Sequence, residues 1–297
     1  YRIGYSPRSG LRSVLAAKGF SDKDMMAAGV VRKSDRDGRL YDYFRDRIMF
    51  PIENRQGKVI AFGARALGDS QPKYLNSAEG PTFSKKAVLY GWAQARGGLR
   101  HDLPLVVAEG YMDVIAIHKS GMAAAVAPLG TSLTLEQILL LWKLDDEPVI
   151  CFDGDVAGQR AQRRALERIL PALEPGKSAR LAVLPDAKDP DDVIKEFGPD
   201  GFRKVIAAGQ SLVDSLWDSF QSEFDIRQPE TRAQFWQGVR SCVRSIGNNQ
   251  VRTAYGDEIE SRIALMRNQT RGPSSMFSPR RVLRPQTGLI NRHRAVI

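Results

Sequence analysis

From residue 104 to residue 195, short apolar runs alternate with segments whose apolar positions recur every three or four residues. The runs predict strands at 105–108, 123–127, 149–152 and 180–184, and the segments between them predict helices at 111–119, 134–144 and 156–170. Alternation of this kind predicts a parallel sheet with helices on its faces. Upstream the pattern is mixed. Helical spacing covers 11–18 and 22–28, and strand-like runs at 47–52 and 59–63 flank Asn54-Arg55-Gln56-Gly57, which predicts a hairpin. Residues 71–86, rich in Lys, Pro, Asn and Ser, read as an ordered loop. Beyond 201 the spacing is helical to about 265, with Val213, Leu216, Trp217 and Phe220 as a core-packing stripe. After Arg267 the periodicity fades into a flexible basic linker. The expected class is α/β, with mixed α+β structure at 1–103, the alternating sheet at 104–195, helices at 196–265 and a linker or tail at 266–297.

Composition adds bounds. With 42% hydrophobic and 26% charged residues, the 297-residue chain matches ordinary soluble globular proteins. No apolar run approaches the roughly 18 residues of a membrane span, so a cytoplasmic protein without a membrane partner is expected. The start, Tyr1-Arg2-Ile3-Gly4, has neither Met nor a signal-like segment, and the chain reads as part of a longer one. Cys151 and Cys242 lack metal-site spacing, which argues for a reducing compartment and against zinc.

Charge layout says more than the net +10. Residues 1–104 carry 19 Lys and Arg against 10 Asp and Glu, residues 105–200 carry 10 against 16, and residues 266–297 carry seven Arg and no acid. Basic surface beside an acidic module suits an enzyme that processes a polyanion, one part gripping phosphates and the other holding metal.

The acids have a pattern of their own. In a parallel sheet every strand delivers its C-terminal end to one edge. Glu109 follows the run at 105–108, with Asp113 four residues on; Asp153 and Asp155 follow 149–152; Asp189 and Asp191 follow 180–184. Acids converging there repel unless a cation lies among them, and hard oxygen donors suit Mg²⁺. Singly, each has a plainer reading. Glu109 and Asp155 serve equally as charges at helix N-termini, and Asp189-Pro190-Asp191-Asp192 as a turn and cap. Asp153-Gly154-Asp155 does not open a calcium loop, because Ala157 and Arg164 stand at two ligand positions. Pro175-Gly176-Lys177-Ser178 is not a phosphate loop, because Pro171 replaces its first glycine and a strand follows. His101, His118 and His293 lack ligand spacing, and no Ser or Cys sits in a nucleophile elbow.

Among the cations, Arg45 and Arg47 occupy alternating positions of one face ahead of a strand, and Arg65, Lys73 and Lys85 lie in or beside the polar loop. Lys73-Tyr74-Leu75-Asn76 sets charge, ring and amide together as a nucleotide contact requires.

Glu109-Gly110-Tyr111-Met112-Asp113-Val114, Asp153-Gly154-Asp155-Val156-Ala157-Gly158 and Asp189-Pro190-Asp191 together resemble the TOPRIM domain of bacterial DnaG-type primases. Arg47-Ile48-Met49-Phe50-Pro51-Ile52, Phe62-Gly63-Ala64-Arg65 and Pro72-Lys73-Tyr74-Leu75-Asn76-Ser77 resemble the basic half of the same polymerase core, and the likeness runs from residue 1 to about 265. It implies a Rossmann-like TOPRIM sheet and the synthesis of short RNA primers on single-stranded DNA from ribonucleoside triphosphates. Glu109, Asp113, Asp153 and Asp155 would be its catalytic acids, and Glu109, Asp153, Asp155, Asp189 and Asp191 would hold Mg²⁺ or Mn²⁺, more than one ion. Arg45, Arg47, Arg65, Lys73, Tyr74, Asn76 and Lys85 would contact nucleotide and template. Tyr43 departs from the family, which often shows a basic residue there. The family's zinc-binding and helicase-binding modules lie outside the resemblance, so no zinc is expected here, and the replicative helicase is a partner of the full-length protein only. Two alternatives remain: another TOPRIM enzyme, a nuclease or topoisomerase, that breaks strands with the same acids, and a non-catalytic nucleic-acid-binding module. The Lys73 loop favours polymerisation.

Overall fold

The computed structural model describes residues 1–99, 101, 103–130, 133–185 and 188–270. In chain order the first elements are β1 (Gly4–Ser6), α1 (Leu11–Ala17), α2 (Asp22–Ala27), β2 (Val31–Lys33), β3 (Leu40–Asp42), β4 (Arg47–Glu53), β5 (Val59–Ala66), β6 (Tyr74–Asn76) and α3 (Trp92–Leu99). Strands β1, β4, β5 and β6 form an antiparallel sheet in that order, while β2 and β3 make a separate two-stranded ribbon. The predicted hairpin is β4–β5. Asn54 Oδ1 closes its turn by accepting the N–H groups of Gln56 and Lys58, both at 3.0 Å, and Gly57 supplies the left-handed residue at φ 78°.

Strand β4 is packed from both sides. Phe50 and Ile52 join one core, while Met49 joins another with Met25, Val31, Phe44 and Ala64. That double burial removes the one-wet-face alternation common in antiparallel strands. The segment expected as a loop at 71–86 contributes β6, the fourth strand of the sheet, at the edge beside β5.

The second series is β7 (Leu105–Val107), α4 (Tyr111–Ser120), β8 (Ala124–Val126), α5 (Leu135–Leu141), β9 (Val149–Phe152), α6 (Val156–Ile169), β10 (Arg180–Val183), α7 (Pro190–Ala207), β11 (Gln210–Ser211), α8 (Leu212–Glu223), α9 (Pro229–Arg244) and α10 (Asn249–Thr270). Every residue of β7, β8 and β9 is buried, as expected of parallel strands covered on both faces. The sheet order is β11-β10-β9-β7-β8, with β10, β9, β7 and β8 parallel and β11 antiparallel at the edge. The chain leaves β7 towards β8, then crosses back past β7 to β9 and on to β10. Its direction of travel reverses between β7 and β9. In an open α/β sheet the ligand crevice lies at such a reversal, beyond the carboxyl ends of the two strands.

One apolar cluster joins the two sheets. Phe50, Ile52 and Ala61 of the antiparallel sheet pack with Val106, Ala108, Val114, Ala125, Cys151 and Ala182 of the parallel half. Beyond them, Leu212, Leu216, Trp217 and Phe220 of α8 are buried, and Trp217 meets Phe235 of α9 edge to face at 4.9 Å. Val213, expected in that stripe, is only partly buried, and Leu212 takes its place. By packing the chain divides into Tyr1–Ile259 and Glu260–Ile297. Within the second unit the described residues are the final part of α10, which continues to Thr270; the rest of the expected linker, 271–297, lies outside the described residues.

Candidate active site

Three strand ends bring the acids together. β7 leads through Ala108 to Glu109, β9 directly to Asp153, and Asp189 follows β10 at the start of α7. Glu109 and Asp153 therefore flank the reversal point, and the Asp153 N–H donates to Glu109 Oε1 at 3.4 Å. The helix-start reading is also correct for Asp155 and Asp189, and Asp113 acts in the same way. Asp155 caps α6 by accepting the Gly158 N–H at 2.7 Å, Asp189 caps α7 by accepting the Asp192 N–H at 2.8 Å, and Asp113 accepts the Gly110 N–H at 3.0 Å. Capping is how the sequence holds these side chains in place; each uses one carboxylate oxygen to fix its own rotamer.

Charge crowding is visible in the protonation equilibria. Burial, then the charges of Glu109, Asp189, Asp155 and Asp192, push the Asp153 carboxyl up to about 7. Burial, then Asp189, Asp153 and Glu109, do the same for Asp113, also to about 7. Burial, with Asp155 adding to it, raises Glu109, against the Asp153 N–H and the guanidinium of Arg164. Asp153 Oδ1 is buried without a hydrogen-bond partner, an orphaned acceptor that costs free energy unless something electropositive meets it. Among the described residues no three His, Cys, Asp or Glu side chains already converge as a ligand set. The acids share a field without forming a closed cage. The Asp191 carboxylate pairs with Lys195 at 2.6 Å one helical turn on, and its neighbour Asp192 acts on Asp153.

The cations are placed less uniformly. Arg45 and Arg47 do not share a face, contrary to the alternation read from sequence. Asp46 between them has a positive φ of 53°, which breaks the strand, so Arg45 is exposed with its guanidinium 5.3 Å from the Tyr41 ring. Arg47 is buried, 5% exposed, and donates from Nη1 to the carbonyls of Pro72 at 2.8 Å and Lys73 at 3.4 Å. It ties down the loop that carries Lys73. Lys73 itself is exposed, as is Tyr74, and Arg65 lies 5.7 Å from the Tyr74 ring. Lys85 opens a short 3₁₀ turn, half-buried. Asn76 links the two halves: its backbone carbonyl accepts from Tyr43 at 3.3 Å, and its side-chain oxygen accepts from Tyr111, the first residue of α4 after Glu109-Gly110.

Sequence reasoning missed the residues that make room. The Tyr111 ring stacks on Phe50 at 5.3 Å and would overlap any Cβ at Gly63, the residue paired with Phe50 across β4–β5. A Cβ at Gly158 would overlap the Asp153 carbonyl, so that glycine lets α6 start directly behind the acid. Its place three residues after Asp155 was the available signal.

Comparison with known proteins follows the same division. Residues 1–96 match the family model described as DNA primase catalytic core, N-terminal domain, and residues 104–182 match the Toprim domain. The DNA primase of Pasteurella multocida is 37% identical over 269 residues, which is 90% of this chain and 46% of that protein. The chain thus spans about half the length of such a relative. A DNA primase domain from Pseudomonas aeruginosa superposes with a TM-score of 0.81 at 39% identity, covering 87% of this chain and 82% of the other. A DnaG primase catalytic domain solved bound to single-stranded DNA superposes at 0.76 with 36% identity, covering 87% and 84%. Likeness at that identity over more than four-fifths of solved primase catalytic domains, on a fold that gathers the TOPRIM acids at one sheet edge, places the chain in a single family: it belongs to the DnaG-type DNA primases.

Proposed function

We propose that this chain makes short RNA primers on single-stranded DNA by joining ribonucleoside triphosphates, and that residues 104–195 carry the chemistry while residues 1–103 grip template and nucleotide, with 196–265 as a helical support. The observation that carries this reading is the shared electrostatic field of Glu109, Asp113, Asp153 and Asp189 at the sheet reversal, with Asp153 Oδ1 left unpartnered. That donor set fits divalent ions of the hard, oxygen-seeking kind, Mg²⁺ or Mn²⁺, with Glu109, Asp153, Asp155, Asp189 and Asp191 as the side chains to hold them. When bound, such ions would supply positive charge to the triphosphate and lower the pKa of the attacking hydroxyl.

The chain's own groups do the rest. Glu109, raised by burial, is suited to receive the proton of the primer 3′-hydroxyl. Asp113 and Asp155 hold the starts of α4 and α6, and so orient the edge on which Glu109 and Asp153 sit. Exposed Arg45 and Lys73, with the half-buried Arg65 and Lys85, would neutralise phosphates, Tyr74 would stack on a base, and Asn76 would present the template beside Tyr111. Arg47 contributes by holding the Lys73 loop. No helix among the described residues is long and apolar enough to cross a membrane.

Labelled ribonucleotides incubated with single-stranded DNA and Mg²⁺ test the reading. Oligoribonucleotide products that vanish with Asp153→Asn are expected. Cleavage of the DNA would mean a strand-breaking TOPRIM enzyme, and binding without any turnover would mean a non-catalytic module.

A further inference from the structure

Cations also gather on the acidic module, along one side of α6. Arg160, Arg164 and Arg168 recur at intervals of four residues, so they share a face and follow one another at about 6 Å along the helix axis. All three are exposed. The remaining arginine of the helix, Arg163, is turned to α8, where it pairs with Glu223 and also holds Glu167 of its own helix at 3.6 Å. Among the described residues neither Arg160 nor Arg164 takes part in an ion pair. Two hollows border this face. The first, of about 310 Å³, is lined by Glu109 and Arg164, and the guanidinium favours the charged form of that acid. The second, of about 510 Å³, lies between Arg168 and the start of α5 at Thr134 and Leu135. The two meet where Arg168 Nη1 donates to the carbonyl of Leu133. Exposed Lys86 joins the second hollow, its carbonyl accepting the Thr134 hydroxyl at 2.7 Å. Glu136 is the acid lining that hollow, against Lys86 and Arg168.

Connectivity sets this basic path apart from the template side. Crossovers are right-handed, and the chain travels from β7 to β8 in one direction and from β9 to β10 in the other, so α4 and α6 lie on opposite faces of the sheet. On its face α4 meets the basic half, Val114 and Ile117 packing in one cluster with Phe50 and Ile52. On the other face α6 packs against α8. A template held by residues 1–103 therefore reaches the acids from the α4 side. The strand paired to it turns its own backbone away from that grip, towards whatever lies beyond the acids, and α6 lies there. Cations one helical turn apart are spaced to meet neighbouring phosphates of one strand. Such contacts position a backbone without reading bases, as a product of any sequence requires.

We propose that Arg160, Arg164 and Arg168 of α6, continued by Lys86, form a track for the phosphate backbone of the new RNA strand as it leaves the acidic edge. This rests on the primase reading given above, but its test needs no turnover. Two labelled probes are compared on the whole chain by fluorescence anisotropy over a salt series: oligothymidylate alone, and the same strand carrying an annealed oligoriboadenylate. The proteins are the unsubstituted chain, Arg160→Ala with Arg164→Ala, Arg160→Lys with Arg164→Lys, and Lys73→Ala, with circular dichroism confirming that each folds. The alanine pair should weaken binding of the primed probe about tenfold and lower its salt slope by about two units, the share of two phosphate contacts. Its affinity for the bare strand should change by less than about twofold. The lysine pair should keep most of the slope, because the charges remain, and Lys73→Ala should weaken both probes. Unchanged binding of the primed probe by the alanine pair, beside a loss in Lys73→Ala, overturns the track and leaves the primase reading standing. An equal loss on both probes assigns the row to template and also overturns it. So does a loss that the lysine pair reproduces in full, since the arginines then act by packing alone. Failure of the unsubstituted chain to bind either probe overturns the track and the primase reading together.

Discussion

The parallel sheet and the antiparallel sheet carry opposite charges and place them by different means. Glu109, Asp153 and Asp189 come from strands far apart in sequence, yet connectivity alone delivers them to one edge, and helix caps at Asp113, Asp155 and Asp189 then fix the local geometry. In the antiparallel half no common edge exists. Arg32, Arg45 and Arg65 are each held by a separate aromatic ring, Arg47 is turned inward, and Lys73 projects from a loop. A site set by topology tolerates little local change, whereas one assembled from independent pairs loses function by fractions. The substitutions below rank in that order.

Asp153→Asn removes a charge where the field is strongest, and primer synthesis should fall by about 10²-fold or more, the order seen when a group acting on transition-state charge is lost. The fold should survive, and without metal its melting temperature should not drop, because a repulsive charge has gone. Unchanged turnover at saturating Mg²⁺ would remove Asp153 from the chemistry. Gly158→Ala should be nearly as severe by another route. The added methyl meets the Asp153 carbonyl, so the start of α6 must move, costing about 1–3 kcal/mol in chemical denaturation along with most of the activity. Full activity in this variant would show that the edge is less tightly set than the parallel topology implies.

The pH dependence of stability separates the halves without any mutation of the basic side. Folded Asp113 and Asp153 retain protons to about pH 7, while the ordinary Asp carboxyl titrates at 3.8. Across that window the folded chain binds more protons than the unfolded one, so these groups favour folding at low pH and lose that contribution as pH rises to about 7. Measured as the difference between the unsubstituted chain and Asp153→Asn, metal-free stability should decline over this range, and Mg²⁺ should flatten the decline. A difference independent of pH would mean that neither burial nor the neighbouring acids raise Asp153.

The basic half should respond more gently. Lys73→Ala should weaken template or nucleotide affinity about three- to tenfold and lower the salt slope by about one unit. Arg47→Ala should instead cost about 1–3 kcal/mol of stability, because the buried Arg47 side chain no longer packs there or donates to the Pro72 and Lys73 carbonyls. A salt slope altered by Arg47→Ala with stability unchanged would reverse the roles assigned to these two residues.

The same contrast explains what could be read from the chain before its structure. Strands at 105–107, 124–126 and 149–152 were legible because burial on both faces leaves continuous apolar runs, the strand at 180–183 because its middle is apolar although Val183 is exposed, and the acids beyond three of the four were legible because parallel topology has one carboxyl edge. β1, β2, β3 and β6 are three residues each, too short for a period to register, so β6 read as loop. Arg45 and Arg47 misled because period two holds only while the strand continues, and Asp46 breaks it. Asp191 and Asp192 are adjacent and chemically alike; only the phase of α7 decides which one pairs with Lys195 and which turns its charge on Asp153.

The apolar cluster shared by both sheets has a mechanical consequence. Phe50 and Ile52 on one side and Val106 and Ala108 on the other belong to a single interior, so the halves have no seam along which to swing. Many nucleotide-polymerising enzymes could in principle reject a wrong substrate by closing a domain over the right one. A molecule built as this one is has no such clamshell. Under the proposed activity the two halves should therefore move as one body, and nucleotide selection should rest on fit to a fixed surface rather than on closure of one half over the other.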